Sequence, residues 1–300
     1  MKYTDPALTI EEQLERLRSS HLAIDSEDDV RSILLVTGYF RLNNYMRYFK
    51  KEKEFIRNTC IRDIVGLYEF DKFLRISLFD AIADVEVAIK ALMNNTLACK
   101  YGPHWLTNPT IFKPEFHGNH QSLITDISAY CNNNPEEQFI KRYKLKFDDP
   151  CLPPSWMMME VLSLGTISRL YDAILSTEDR VNISAFLKTH DNILTSWLHC
   201  LTYIRNLCAH HAKILDRILT IKPVMPSRKK NRFLDEVEEL DVSKIYAVLC
   251  CIQYLLKTIK PNADFKDNII NLIRGNPEVK PDILGFTKNW EKEGIWQSLN

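Results

Sequence analysis

From Arg62 to Cys99 the chain contains no proline, and Leu67, Phe70, Leu74, Leu78, Ala81, Val85, Ile89 and Leu92 recur along it at near-helical spacing. A period of this kind held over so many turns leaves little choice but one long helix, ~57 Å if unbroken at 1.5 Å per residue. Phe73, Ile76, Ala83 and Val87 form a second apolar face on the same stretch. This is expected to be the central helix of the fold, closed at its C-terminal end by Gly102-Pro103.

The remaining elements read as shorter helices. Leu8 to Ser20 and Asp28 to Val36 are amphipathic, and Gly38 breaks the chain before a third segment from Tyr39 to Phe49. After a loop to Asn119, helices are expected at Gln121 to Cys131, Glu136 to Tyr143, Ser155 to Leu164, Thr166 to Leu175 and Glu178 to Leu187, the last with Thr177 as cap. Asp191 is expected to cap the next helix, whose inward stripe is Leu194, Leu198, Leu201, Ile204 and Cys208. Leu219 to Ile221 reads as extended, a Lys/Arg loop follows, and helices at Val242 to Ile259 and Asp264 to Arg274 precede a Pro/Trp-containing tail. The fold class is therefore all-α. The simplest division is an N-terminal helical elaboration over 1–60, a helical core over 61–260 and a C-terminal tail over 261–300 packed on that core.

Polarity intrudes in one place. Tyr203-Ile204-Arg205-Asn206-Leu207-Cys208-Ala209-His210-His211 sets an arginine, an amide and two histidines into an otherwise apolar helix. Burying such groups without partners costs about 1–3 kcal/mol each, so they satisfy one another or face a cleft. At ~100° per residue Asn206 and His210 lie one above the other, while Arg205 is rotated ~140° from His210. Either the long arginine wraps around the helix, or a second copy of the motif completes the site. The second arrangement is the expected one and makes the protein a homodimer. RNA cleavage needs a base for the ribose 2′-hydroxyl, an acid for the leaving oxygen and positive charge against the phosphorane. Histidine supplies the first two near neutral pH and arginine the third. Without context, the same residues describe a helix end where histidines answer the macrodipole and Arg205 makes a structural ion pair.

The spacing of Arg205 and His210 resembles the signature of HEPN-superfamily ribonucleases. Context comes from four further stretches: Leu8-Thr9-Ile10-Glu11-Glu12-Gln13-Leu14; Thr37-Gly38-Tyr39-Phe40-Arg41-Leu42-Asn43-Asn44-Tyr45; Leu67 to Arg75 followed by Ile82 to Ala88; and Trp156 to Ser168. With the motif, and in this order, they resemble the AbiD/AbiF type of abortive-infection proteins, a bacterial phage-defence family. The resemblance implies a HEPN-type helical bundle, RNA cleavage without a metal, dimerisation to build the site, and control by a structured small RNA. It assigns cleavage to Arg205, Asn206, His210 and His211. Asn43, Asn44 and the bulky Met157 to Met159 depart from the family's usual pattern, which touches partner contacts and packing rather than the cleavage residues.

The formal net charge is zero, yet from Arg205 to Arg232 eight Lys/Arg face a single acid, Asp216. Lys213, Arg217, Arg228, Lys229, Lys230 and Arg232 are thus candidates to grip an RNA backbone, with the alternative that the cluster at 228–232 is a solvated loop balanced by the acids after it. Arg41 and Tyr45 belong to a smaller basic-aromatic cluster suited to bases. With 45% hydrophobic and 26% charged residues the chain is of ordinary globular type. No apolar run is long enough to span a bilayer, and no leader is evident, so a cytoplasmic protein with reduced cysteines is expected. The eight glycines are too scattered for a phosphate or dinucleotide loop, and no metal-ligand spacing is present. Neither cofactor nor metal is expected. Asp71, Asp80, Asp84 and Glu86 are expected to be solvated or paired with Lys/Arg of neighbouring helices. The competing reading is a non-catalytic helical module that binds RNA or protein.

Overall fold

A computed structural model describes residues 2, 6–226, 234 and 240–297 of the chain. Three short helices, α1 (Ile10–Ser19), α2 (Glu27–Thr37) and α3 (Tyr39–Met46), lead through a small antiparallel hairpin, β1 (Lys50–Lys51) and β2 (Glu54–Phe55), into α4 (Ile61–Tyr101). Then follow α5 (His117–Asn133), α6 (Gln138–Lys144), α7 (Ser155–Met158), α8 (Leu164–Ala173), α9 (Thr177–Phe186), α10 (Asp191–Ala209), α11 (Ile245–Ile259) and α12 (Phe265–Arg274). The all-α expectation holds among the described residues.

The proline-free stretch is one helix of 41 residues, roughly 60 Å long at 1.5 Å per residue. Leu67, Phe70, Leu74, Leu78, Ala81, Val85 and Ile89 are all buried, each side chain larger than alanine contributing about 1.5–3 kcal/mol to folding. Around this rod pack α3, α7, α8, α9, α10, α11 and α12. Its second apolar face is uncovered: Phe73, Ile76 and Val87 are 52%, 53% and 67% exposed. Gly102, at φ 88, turns the chain out of the helix where a side chain would be strained.

The helix ends show where side-chain capping decides between neighbouring candidates. Thr9 and Glu12 form a reciprocal capping box on α1. Ser176, not Thr177, caps α9 by accepting from the Asp179 N–H at 3.2 Å. Asp191 opens the first turn of α10 rather than capping it; His190 holds that place, and Asp191 accepts from Arg180 Nε at 3.3 Å. The segment expected as one helix from Ser155 is broken into α7, a 3₁₀ turn (Met159–Val161) and an extended Leu162, because Ser163 caps a new helix through the Thr166 N–H. Instead of a featureless loop, 102–119 contains three 3₁₀ turns that sink Trp105, Ile111 and Phe112 into the core. Leu219 joins no strand; its N–H donates to the Ser243 carbonyl at 2.8 Å.

The tail closes over α11. Tyr246 packs at a tilt against Phe286 with 4.3 Å between ring centroids, and its hydroxyl accepts from Trp296 Nε1 at 3.1 Å. No disulfide joins the eight cysteines. Among the described residues no helix is long and apolar enough to cross a membrane.

Candidate active site

The inward stripe of α10 is as the spacing predicts: Leu194, Leu198, Leu201, Ile204 and Cys208 are buried. Burial among apolar neighbours pushes the Cys208 thiol up to about 12. Because that stripe faces inward, Arg205 is left half-buried at the surface and Asn206, His210 and His211 are exposed. The motif is therefore not sealed inside hydrocarbon.

Helix α10 stops inside the motif. The His211 N–H donates to the Cys208 carbonyl at 3.0 Å, and the Ala212 N–H reaches back to the Leu207 carbonyl at 2.9 Å. This is the paired bonding of a Schellman ending, in which glycine usually takes the left-handed position. Here that position is His211, at φ 54, which costs an L-residue about 1–2 kcal/mol. His211→Gly should therefore stabilise the fold, raising Tm by roughly 2–4 °C per kcal/mol relieved, while lowering any activity that needs the imidazole. Thermal denaturation and an activity assay on the same preparation check both halves.

Beside this ending lies a groove of about 850 Å³, lined by Arg41 from α3, by Tyr68, Lys72, Ile76 and Phe79 from α4, and by His211. The Arg205 guanidinium stands 5.8 Å from the centroid of the Phe79 ring and contacts Asn206 Oδ1 at 3.4 Å, a long and weak bond. Lys72 is paired with Glu69 at 2.8 Å, and Arg41 Nη1 donates to the His211 carbonyl at 3.0 Å. His211 lines the groove, whereas His210 is not part of its lining and its N–H closes the helix on the Asn206 carbonyl. One chain thus gathers the cation, amide and imidazoles at one helix end without hydrogen bonds from Arg205 to either ring among the described residues.

Two candidate RNA-binding residues are corrected by the structure. Tyr45 is 2% exposed, packs edge-on against Tyr68 and donates its hydroxyl to Asp71 at 2.7 Å, so its ring cannot stack on a base. Lys213 turns inward, with Nζ donating to the Asn44 carbonyl at 3.3 Å and Tyr48 hydroxyl at 3.1 Å and pairing with Asp216 at 2.8 Å. Burial lowers the Lys213 pKa, and the Asp216 hydrogen bond opposes that shift. Its charge is committed inside the protein. Arg217 donates Nε to the Lys213 carbonyl at 2.7 Å and is half-buried. Arg41 is exposed. Arg228, Lys229, Lys230 and Arg232 lie outside the described residues.

Other residues of the site escaped the sequence reading. Phe79, Lys72 and Arg75 line the groove, and Arg75 forms a buried ion pair with Asp71. The available signal was position: Asp71 lies three and seven residues before Leu74 and Leu78, on the buried face. Asp84, by contrast, pairs with Lys260 at the end of α11 at 2.9 Å, as expected for that acid. Among the described residues no group of three or more His, Cys, Asp or Glu is placed to hold a metal ion.

No curated protein and no solved structure matches the chain. The family model described as Abi-like protein matches residues 32–216. That span begins within α2, includes α3, the whole of α4 and all of α10, and ends at Asp216 just beyond the histidines. More than half of the chain carries the pattern, the groove and the motif included, and the chain belongs to the Abi-like protein family, whose role is in abortive infection.

Proposed function

We propose that the protein is a HEPN-type endoribonuclease that acts in the cytoplasm as a homodimer and needs no metal. The observation that carries this reading is the placement of the polar motif at an exposed helix end, against a groove with cationic and aromatic walls. His210 takes the proton of a ribose 2′-hydroxyl, and O2′ attacks the adjacent phosphorus. The bond from phosphorus to O5′ breaks, and a protonated imidazole returns a proton to the leaving oxygen. Arg205 neutralises charge that builds on the phosphorane, and Asn206 and His211 hold the participants. The products are a 2′,3′-cyclic phosphate and a 5′-hydroxyl.

Dimerisation answers two features of the single chain. Arg205 makes no hydrogen bond to its own imidazoles among the described residues, and the Phe73, Ile76, Phe79 and Val87 stripe of α4 is uncovered beside the groove. A symmetric pair burying that stripe brings the arginine of one copy toward the histidines of the other.

Purified protein, stripped of bound nucleic acid and incubated with RNA in EDTA, is expected to produce ends bearing 2′,3′-cyclic phosphate. No cleavage at any salt concentration would end the proposal. Control by a structured small RNA follows from the family resemblance; co-expression of the neighbouring intergenic transcript should relieve growth arrest. The lack of an Arg205–imidazole bond within one chain also suits a non-catalytic RNA-binding module. That reading requires Arg228→Ala, Lys229→Ala and Lys230→Ala together to abolish the cellular effect and His210→Ala to leave it unchanged.

A further inference from the structure

Asp71 is fully buried in the middle of the apolar face of α4, where a carboxylate survives only with its lone pairs occupied. Its oxygens accept from four groups. The backbone N–H groups of Ile214 and Leu215 donate to Oδ1 at 3.0 and 2.7 Å, and Tyr45 donates to Oδ2 at 2.7 Å. Arg75, one turn along the same helix and 5% exposed, donates to the same Oδ2. Two of these four partners are backbone amides three to five residues past the motif histidines.

The carbonyls of the same turn are held as well. Arg41 donates to that of His211 at 3.0 Å, and Arg75 reaches that of Ala212 at 3.4 Å. Between the left-handed residues His211 and Asp216 the chain has no helix or strand of its own. Four of its groups, the Ile214 and Leu215 N–H and the His211 and Ala212 carbonyls, are met by side chains from α3 and α4. A buried ion pair is seldom better for stability than apolar side chains of equal volume. What it supplies here is direction: it ties the turn that leaves α10 to the middle of α4.

We propose that Asp71, acting with Tyr45, Arg75 and Arg41, is a positioning residue that holds the turn after α10 in the conformation that presents His210 and His211 for reaction. The proposal rests on the ribonuclease reading of the same motif. It also gives α3 a task, since Arg41 and Tyr45 stand on successive turns of that helix and both end on this turn or its anchor.

The test compares Asp71→Asn, Tyr45→Phe and Arg75→Lys with a packing control, Leu78→Val, using a fluorogenic single-stranded RNA in EDTA. At a temperature where all are folded by circular dichroism, Asp71→Asn is expected to lower kcat by about 10–100-fold with little change in KM. It should also displace the pH–rate profile. Tyr45→Phe should follow in the same direction with a smaller loss, and Leu78→Val should keep kcat whatever it costs in Tm. Parent-like kcat and pH profile in Asp71→Asn, or an equal loss in Leu78→Val, would overturn the proposal. Should Asp71→Asn fail to fold, Tyr45→Phe is read by the same criteria. If the parent cuts no RNA, the ribonuclease reading fails separately, and the imidazole NMR titrations of His210 and His211 decide the matter. Shifted titrations in Tyr45→Phe support the clamp, and superimposable ones refute it.

Discussion

Replacing His210 with alanine is expected to lower RNA cleavage by about 10²–10⁴-fold, the range supplied by a positioned acid–base group. The fold should be indifferent to the change. The backbone N–H of His210, not its ring, closes α10 on the Asn206 carbonyl at 3.0 Å, and the side chain is exposed. Alanine keeps that bond and removes no buried surface, so the melting curve should superimpose on that of the parent. Expression of the parent should arrest growth while the variant is tolerated. Equal rates from the two proteins would show that the imidazole has no part in the chemistry.

Charge placed on the uncovered face of α4 is expected to have an effect of similar size by another route. Ile76 and Phe79 are 53% and 42% exposed and both line the groove. Each apolar side chain of this size that is buried against a second copy stabilises the pair by about 1.5–3 kcal/mol. Ile76→Asp combined with Phe79→Asp removes two such contributions and sets like charges against each other across the two-fold axis. Association should weaken by at least about 10²–10⁴-fold, since each 1.4 kcal/mol is a factor of ten. Light scattering should report monomers, and cleavage should fall with the loss of dimer while circular dichroism is unchanged. A monomeric variant that cuts RNA at the parent rate would separate catalysis from pairing.

The parts of the molecule most legible in the sequence are those whose packing repeats. The α4 and α10 stripes follow from spacing alone, because every third or fourth residue must be apolar for a helix to bury one face. The hairpin at 50–55 was not legible. Lys50, Lys51 and Glu54 carry no alternation, and only Phe55 is buried. The cap of α9 falls on Ser176 rather than the neighbouring Thr177 because either hydroxyl can meet the first free amides, and the choice depends on the path of the incoming chain. In the candidate site, the motif residues stood out as polarity within an apolar helix. Tyr45 and Lys213 misled because their composition suggests a surface cluster, whereas Tyr45 shares the buried face of α3 with Leu42 and Met46. Asp71 was only half legible: its position on the apolar face and Arg75 one turn along mark it, but its amide partners lie 143 and 144 residues away in sequence.

The rod at the centre has a mechanical corollary. Since α4 touches partners drawn from before and after it along nearly the whole chain, there is no seam along which one half could open while the other stays shut. Amide exchange should accordingly protect α4, α10 and α11 to a common depth, released together in a single cooperative event. Insertions are best tolerated where the chain leaves the rod's grip, such as the exposed run from Lys144 to Cys151.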